Sequence, residues 1–417
     1  MNLQELSKQL GKEAHQLIFD ICEVAKYRLP GSEGEKKAQD FLVKKMKELG
    51  ADEVEMKECY TYAKFFKYWP KLSLAFFFLS LIMFHFSPLL TIFLILLMLG
   101  NIILKLFSYT FLDVLFKKEK SRNIIGKVKQ NQTQDPSLPK RIMIIGGHID
   151  NNYEFPLGRK YGKKMIYFYV FVFVAAALWL LISFYQLIMD ILNGLPLISF
   201  VPTFNFEWYY LLILALTPFI IWIAWNVVST RPVPGANDNL SGISVTLKVL
   251  DYFAEHPLEN MVLWSVAFGA EEAGMAGSKA LSKDVKEQID NGTFPAESLW
   301  VVNFDSVGSD DPLIIAKKEP MYRATHDPKV YNQLAESAKK AKVDYKLKNI
   351  DAGTDSAPFS RLGIPSVGVI AAGSDGIPKN WHSREDLPQN CDTVGLTDTI
   401  RCAIQFLKDV DKNLSNN

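Results

Sequence analysis

Four long apolar runs limit what this 417-residue chain can fold into. They lie at about 70–86 and 88–107, and again at 165–192 and 208–228. Each is close to the roughly 20 residues that a helix needs to cross the hydrocarbon core of a bilayer. Buried core helices are the alternative, but the run at 167–187 has no charge and no continuous polar face. The sequence therefore predicts two transmembrane helical hairpins, at 64–107 and 163–229.

Basic residues stand at the open ends of both predicted hairpins, whereas the tip loops, 86–88 and 190–208, contain none. The positive-inside rule then places all polar sequence in the cytoplasm. A transporter is an alternative, but the spans hold few ionisable groups apart from His85 and Lys105. The polar N-terminus predicts no cleavable signal peptide. We predict an integral membrane protein with about four transmembrane helices. The flanking basic residues are Lys64, Lys67, Lys71, Lys105, Lys117, Lys118, Lys120, Arg122, Arg159, Lys160, Lys163, Lys164 and Arg231.

The remaining sequence, 1–63, 108–162 and 230–417, predicts one discontinuous α/β domain interrupted by the two hairpins. Strand and helix patterns alternate, which favours a mixed, mostly parallel central sheet with helices on both faces. In such sheets ligands bind beyond the carboxyl ends of the strands. Strands are predicted at 54–56, 123–128, 141–145, 261–270, 299–304 and 365–371, and helices at 35–49, 240–256, 328–341 and 393–410.

Charge and cysteine content exclude two kinds of protein. Lys and Arg number 46 against 45 Asp and Glu, so no basic surface for nucleic acid is indicated. The four cysteines are scattered without C-x-x-C spacing, which favours buried free thiols over a disulfide framework or a zinc knuckle.

Polar motifs follow several of the apolar segments of the α/β domain. They are G-G-H-I-D at 146–150, G-A-N-D-N at 235–239, E-E at 271–272, N-F-D-S at 303–306 and W-H-S-R-E-D at 381–386. Each alone has an ordinary explanation, such as helix capping for Asp238 or a solvated surface step for the Glu pair. Asp305 differs, because a carboxylate that ends a buried strand is costly unless it meets a cation or a donor. Together the motifs offer two His, two Asp and one Glu as ligands, with a second Glu to spare, which suits two zinc ions and a general base.

Asp150 follows His148 by two residues, just beyond a predicted strand. In extended backbone, residues i and i+2 point the same way. The Asp150 carboxylate is therefore predicted to accept the second imidazole N–H of a metal-bound His148.

The motifs, in this order, resemble those of the co-catalytic dizinc exopeptidases. That family includes bacterial leucyl-type aminopeptidases and plasma glutamate carboxypeptidase and, more distantly, glutaminyl cyclases and the transferrin receptor ectodomain. G-S-E-G-E-K-K-A from residue 31, T-D-S-A-P-F at 354–359 and G-I-P at 363–365 extend the resemblance over the whole polar part of the chain. The resemblance implies a zinc exopeptidase fold and a catalytic role for that domain.

The family mechanism carries over residue by residue. Asp238 would bridge two zinc ions, with His148 and Asp305 on one and Glu272 and His382 on the other. Glu271 matches the general base, which would take a proton from a water bridging the metals and pass it to the leaving amine. The resemblance also implies a cis peptide bond between Asp238 and Asn239.

Two features depart from the family pattern. Trp381 stands where the aminopeptidases often have Tyr, and its indole N–H is a candidate donor to the reaction oxyanion. About 70 residues are inserted between His148 and Asp238, so the site is predicted to open close to the bilayer.

The function implied is that of a membrane-anchored aminopeptidase that hydrolyses short peptides. A glutaminyl cyclase and a catalytically inactive receptor or scaffold are the alternatives. Such cyclases typically use a single zinc, and inactive relatives tend to lose ligands, whereas all six positions are present here. The expected partners are a peptide and the lipid bilayer, without nucleic acid; the sequence leaves the oligomeric state open.

Overall fold

The computed structural model describes residues 2–106, 111–131, 141–199, 202, 207–295 and 297–415. They divide into two compact units. One comprises Met1–Ala63, Lys118–Tyr153 and Pro232–Asn417, and the other Lys64–Lys117 and Glu154–Arg231. We call them the α/β unit and the helical unit.

An eight-stranded mixed sheet, ordered β1-β2-β4-β3-β5-β10-β6-β9, forms the centre of the α/β unit. β3 runs parallel to β4 and β5, β5 to β10, and β6 to β9. The predicted mixed, mostly parallel sheet is confirmed. The strands are β1 (Glu53–Thr61), β2 (Glu119–Val128), β3 (Arg141–His148), β4 (Met261–Phe268), β5 (Leu299–Asp305), β6 (Leu313–Ala316), β7 (Lys318–Glu319), β8 (Ala324–Thr325), β9 (Tyr345–Lys348) and β10 (Ser366–Ala371), with β7 and β8 in a separate ribbon.

Helices cover both faces of this sheet. Alternate residues of β3 point to opposite faces, as strand geometry requires. Met143 belongs to the core beneath α1, α2, α8, α10 and α12, while Ile144 belongs to the core beneath α9 and α11. The helices of the chain are α1 (Leu3–Val24), α2 (Glu33–Glu48), α3 (Ala63–Met83), α4 (Pro88–Leu106), α5 (Pro156–Tyr161), α6 (Ile166–Leu192), α7 (Trp208–Val227), α8 (Gly242–Glu255), α9 (Ala276–Asp290), α10 (Pro328–Lys340), α11 (Ala357–Arg361) and α12 (Thr393–Ser415).

Gly242 lets α8 begin directly against β5. A methyl group added to its Cα would lie 2.1 Å from the carbonyl oxygen of Phe304. We expect Gly242→Ala to lower the free energy of unfolding by about 1–3 kcal/mol, the usual cost of overpacking. Chemical denaturation would measure it. Gly100→Ala is the control, because nothing lies within 4 Å of the added methyl; an equal effect of both changes would contradict the steric explanation.

Within the described residues, the helical unit contains four helical segments long and apolar enough to cross a membrane, judged by length and composition: α3, α4, Pro156–Leu192 (α5 to α6) and α7. Polar contacts join some of them internally. Trp179 Nε1 donates to Ser80 Oγ at 2.9 Å, and Asn101 Nδ2 donates to Ser73 Oγ at 2.8 Å. These hydrogen bonds give buried polar side chains partners within an otherwise apolar unit. Of the predicted hairpins, residues 107, 200, 201 and 203–206 lie outside the described residues.

All four cysteines are free thiols, and Cys59, Cys391 and Cys402 are buried while Cys22 is half-buried. Three of the four thiols are buried as predicted, and Cys22 is less enclosed than expected.

Candidate metal centre

The ends of three neighbouring parallel strands bring the polar motifs together. β3 lies between β4 and β5, with His148 as its last residue and opposite Phe268 of β4. Asp305 is the last residue of β5, and the Glu271-Glu272 pair follows β4 after a short bend. Because parallel strands end at the same edge of a sheet, these side chains converge there.

Asp238 stands at the centre of the cluster. Its Oδ1 lies 3.1 Å from Nε2 of His148, and its Oδ2 lies 3.1 Å from Nε2 of His382. The same His382 nitrogen is 2.9 Å from Oε1 of Glu272. Nε2 of His148 is 3.7 Å from Oδ2 of Asp305. The two oxygens of one carboxylate therefore face two different imidazoles.

Two groups of possible metal ligands share Asp238. One is His148, Asp238 and Asp305, and the other is Asp238, Glu272 and His382; within each, the ligand atoms lie within 4.8 Å of one another. These are the two ligand sets that the resemblance implied. Glu271 lies beside them, with its Oε2 3.9 Å from Nε2 of His148. The structure thus brings together all six residues assigned to metal binding and proton transfer.

Both imidazoles are buried among carboxylates. Burial alone would lower the pKa of His148, but its hydrogen bond to Asp238 and the charges of Glu271 and Asp305 outweigh burial and raise that pKa well above its ordinary value. Burial also opposes protonation of His382, yet the charge of Glu272 and the hydrogen bonds to Asp238 and Glu272 raise its pKa to about 10. The site therefore attracts positive charge strongly.

Several buried carboxyl groups of the site have raised pKa values, because they are buried close to other negative charges. Burial, followed by the charge of Asp238, raises the pKa of Asp305 to about 8. Burial and the charge of Glu272 raise the pKa of Glu271 well above its ordinary value, although His148 opposes them. Asp355 is completely buried nearby, and burial raises its pKa to about 7. Divalent cations bound to His and carboxylate donors would compensate this excess of buried negative charge, so the donor set fits zinc.

Asp150 makes contacts that differ from the prediction. The Nδ1 of His148 lies 3.1 Å from the backbone carbonyl oxygen of Asp150 and 3.7 Å from its Oδ1. The carboxylate instead accepts the backbone N–H groups of Glu271 and Glu272, each at 2.9 Å. β3 ends at His148, so Asp150 lies beyond the strand on which the prediction was based. Asp150 therefore positions the Glu pair, and its carbonyl group orients His148.

Asp386 plays a similar part for Asp238, which the sequence reasoning missed. Its carboxylate accepts the backbone N–H of Asn237 at 2.6 Å and that of Asp238 at 3.1 Å. The segment that carries His382 is thereby joined to the segment that carries Asp238. Burial raises the pKa of Asp386 to about 8, although these hydrogen bonds favour its charged form.

The two asparagines beside Asp238 hold it to other parts of the site. Asn239 donates from Nδ2 to the carbonyl oxygen of Phe304 at 2.9 Å and accepts from the N–H of Ser306 at 3.1 Å. Asn237 donates to the carbonyl oxygen of Lys379 at 2.9 Å. Helix capping, the ordinary explanation for these residues, therefore accounts for only part of their contacts. The Asp238–Asn239 peptide bond is cis, as predicted.

Glu35 connects the N-terminal motif to the site. Ser32, the N-cap of α2, accepts the N–H of Glu35 with its Oγ at 3.2 Å, and Glu35 accepts the N–H of Gly31, the residue before the N-cap, at 2.6 Å. This resembles a capping box shifted by one residue. The other oxygen of Glu35 accepts the N–H of Ala270, the residue before Glu271, at 2.9 Å. The S-E-G-E pattern was the signal that could have identified this role.

Three residues next to the ligands, or among them, have positive φ angles: Ala270 at 52°, Ser306 at 53° and His382 at 46°. This region is uncommon for residues other than glycine, and such conformations concentrate at functional sites. Gly235 also has a positive φ of 63°, a conformation that glycine adopts readily. The turns that present the ligands are thus locally unusual.

Trp381 packs on a proposed ligand. Its ring is stacked on that of His382, with centroids 4.1 Å apart and an interplanar angle of 21°. The indole therefore restricts the orientation of the imidazole. Its assignment as an oxyanion donor stays a prediction.

Known proteins with similar sequences include peptidases. Residues 225–407 match the model of peptidase family M28, a range that includes Asp238, Glu271, Glu272, Asp305 and His382. Aminopeptidase YwaD of Bacillus subtilis is 29% identical over 175 residues, which are 40% of this chain and 36% of that protein. The chain thus matches only about a third of the length of this curated relative.

Several solved structures share the fold of this chain. A Zn-dependent exopeptidase from Parabacteroides distasonis has a TM-score of 0.53 at 14% identity, covering 97% of this chain and 98% of that one. A leucine aminopeptidase precursor from Bacteroides thetaiotaomicron has a TM-score of 0.53 at 15% identity, covering 95% of this chain and 96% of that one. A glutaminyl cyclase from the same organism has a TM-score of 0.54 at 14% identity, covering 95% of this chain and 97% of that one. These structures confirm the predicted resemblance at the level of the fold, and the match to the peptidase family M28 model agrees with it.

Proposed function

We propose that the chain is a membrane-anchored dizinc exopeptidase that removes amino-terminal residues from short peptides. The observation that carries this proposal is the position of Asp238, whose two oxygens each lie 3.1 Å from a different imidazole within two overlapping ligand groups. One carboxylate shared in this way suits two ions about 3.5–4 Å apart. The match to peptidase family M28 supports the hydrolytic reaction.

Each residue of the site has a distinct part in the proposed reaction. Bound zinc would polarise the scissile carbonyl and make a water molecule nucleophilic near neutral pH. Glu271, held by the Asp150 carboxylate at its backbone N–H, would accept the proton from that water and return it to the leaving amine. The C–N bond breaks, the water oxygen joins the carbonyl carbon, and the amine leaves with the transferred proton. Trp381 would face the reacting carbonyl from beside His382.

A glutaminyl cyclase is the second candidate, and the structural similarity to such an enzyme supports it. Assays of the purified protein with peptide substrates, together with analysis of its metal content, distinguish the peptidase from the cyclase. We expect cleavage of aminoacyl anilides and free dipeptides, no cleavage of N-acetylated ones, and bound zinc. Release of ammonia from peptides that begin with glutamine, without peptide-bond cleavage, would replace the peptidase proposal with the cyclase.

The four apolar helices and the basic residues at their ends support a membrane anchor with the site in the cytoplasm. Asn193 and Thr293 are both exposed, one between α6 and α7 and the other after α9. We expect a membrane-impermeant maleimide to label Asn193→Cys on intact cells and Thr293→Cys only after permeabilisation.

The unmodified chain is the control for this labelling, because half-buried Cys22 sets the background. Labelling of Thr293→Cys but not Asn193→Cys on intact cells would place the site outside. Extraction of the protein by alkaline carbonate, without detergent, would contradict membrane insertion itself.

A further inference from the structure

Arg28 is a completely buried cation held by backbone carbonyl groups. Its Nε donates to the carbonyl oxygen of Ile149 at 2.8 Å, and its Nη2 donates to that of Gly235 at 2.9 Å. Its Nη1 donates to the carbonyl oxygen of Ala25 at 3.1 Å. A guanidinium group suits this task because its rigid fork presents several donors in fixed directions.

The two carbonyl groups belong to the two segments that bring His148 and Asp238 together. Ile149 lies between His148 and Asp150, and Gly235 lies three residues before Asp238. The sequence of the second hairpin separates these segments, so chain connectivity does not fix the distance between them. The backbone N–H of Val233 donates to the carbonyl oxygen of Asn152 at 2.9 Å, and Arg28 joins the two segments closer to the proposed ligands, between Ile149 and Gly235.

Asn151 makes a second link of the same kind. Its Oδ1 accepts the backbone N–H of Arg28 at 3.0 Å, and its Nδ2 donates to the carbonyl oxygen of Pro234 at 3.2 Å. Residues 149–151, Arg28 and residues 234–235 are therefore connected at two points. Because Asn151 is also completely buried, both links are shielded from competition by water.

The charge of Arg28 has nearby partners, although its hydrogen bonds go to carbonyl groups. Burial lowers the pKa of Arg28, and Cys22 and then the charges of Asp386 and Asp150 act in the opposite direction. These two carboxylates hold the backbone N–H groups of Asp238 and of the Glu pair. Arg28 thus lies within the electrostatic range of the groups that support both halves of the site.

We propose that Arg28 is a positioning residue that sets the separation of the His148 and Asp238 segments, so that both side chains can bind the same metal ion. The inference rests on the metal site of the proposed function. It concerns metal affinity rather than any particular reaction.

The test compares Arg28→Met and Arg28→Lys with the unmodified full-length protein. Zinc affinity is measured by competition with a chromophoric chelator, and the site geometry by the visible absorption of the Co²⁺-loaded protein. We expect Arg28→Met to weaken zinc binding by roughly 10–100-fold, the usual effect of losing a group that orients a ligand, and to change the Co²⁺ spectrum. Arg28→Lys should recover only part of the affinity, because one ammonium group lacks the fork.

Arg401→Met is the matched control. Arg401 Nε also donates to a backbone carbonyl, that of Ala341 at 2.8 Å, but it lies on α12 and contacts no proposed ligand. We expect it to lower the melting temperature while leaving zinc affinity and the Co²⁺ spectrum unchanged. A merely structural role for Arg28 would give the same result in both arginine variants.

Asn151→Ala keeps the proposal testable if Arg28→Met does not fold, because it breaks the second link and retains the cation. We expect it to weaken zinc binding in the same direction. A folded variant of either kind with unchanged zinc affinity would overturn the inference. Failure of the unmodified protein to hydrolyse any peptide would contradict the proposed function, yet would leave these affinity measurements informative.

Discussion

Replacing Glu271 by glutamine is expected to reduce peptide hydrolysis by roughly 10²–10⁴-fold, the usual contribution of a general base. Glutamine keeps the shape of the side chain but cannot accept the proton of the attacking water. Zinc content should stay unchanged, because Glu271 stands outside both ligand groups that share Asp238. The effect should appear in kcat more than in KM, since proton transfer occurs in the transition state.

Two measurements make this result specific. Zinc per chain is determined by atomic emission for the variant and the unmodified protein, alongside steady-state kinetics. Glu287→Gln is the control, because Glu287 lies exposed on α9 and should keep full activity. Near-normal turnover in Glu271→Gln would remove Glu271 from its assigned role. Loss of zinc together with activity would instead make Glu271 a metal ligand. The structure allows this, because Glu271 also forms a ligand group with His148 and Glu272.

The residues gathered at the centre were predictable because their signals are local. Each motif follows an apolar strand, and parallel strands end at one edge of the sheet. His148 and Asp305 end β3 and β5, and because these parallel strands pair directly the two side chains converge as the strand pattern suggested. Asp238 and His382 lie in irregular turns, where the order of the motifs and the family resemblance supplied what periodicity could not.

The residues that support the centre were not predictable in the same way. Arg28 contacts Gly235 across 207 positions, and Asp386 contacts Asp238 across 148. Nothing local in the sequence marks such a partner, since a buried Arg looks like any surface Arg until the fold is known. Asp150 illustrates the converse, because a local rule predicted its contact and failed where the strand ended at His148.

Secondary structure was predicted best where burial dominates. β3 and β4 are buried along almost their whole length and were found from apolar runs. β1 was predicted only at 54–56 but extends over Glu53–Thr61 and pairs with β2 through nine residues. The rest of this strand was missed because its charged residues interrupt the apolar pattern. The helix α1 was missed, although Leu10, Leu17 and Ile21 repeat at helical spacing and Asn2 caps it.

Replacing Asp238 by alanine is expected to remove both zinc ions rather than one. Its carboxylate belongs to both ligand groups, with one oxygen toward His148 and the other toward His382. The loss of affinity should exceed the roughly 10–100-fold that removal of an outer supporting partner costs. Zinc content after dialysis against a weak chelator, with the fold followed by circular dichroism, would measure it.

Asp305→Ala is the matched control, because Asp305 belongs to the group of His148 and not to that of His382. It should lose about one zinc where Asp238→Ala loses about two, as a shared carboxylate between two ions requires. Asp238→Asn preserves the side-chain volume and should resemble Asp238→Ala, since an amide cannot supply two anionic oxygens. Full zinc content in a folded Asp238→Ala protein would show that Asp238 does not bridge the metals. Equal losses in Asp238→Ala and Asp305→Ala would reduce the centre to a single ion and favour the cyclase over the dizinc peptidase.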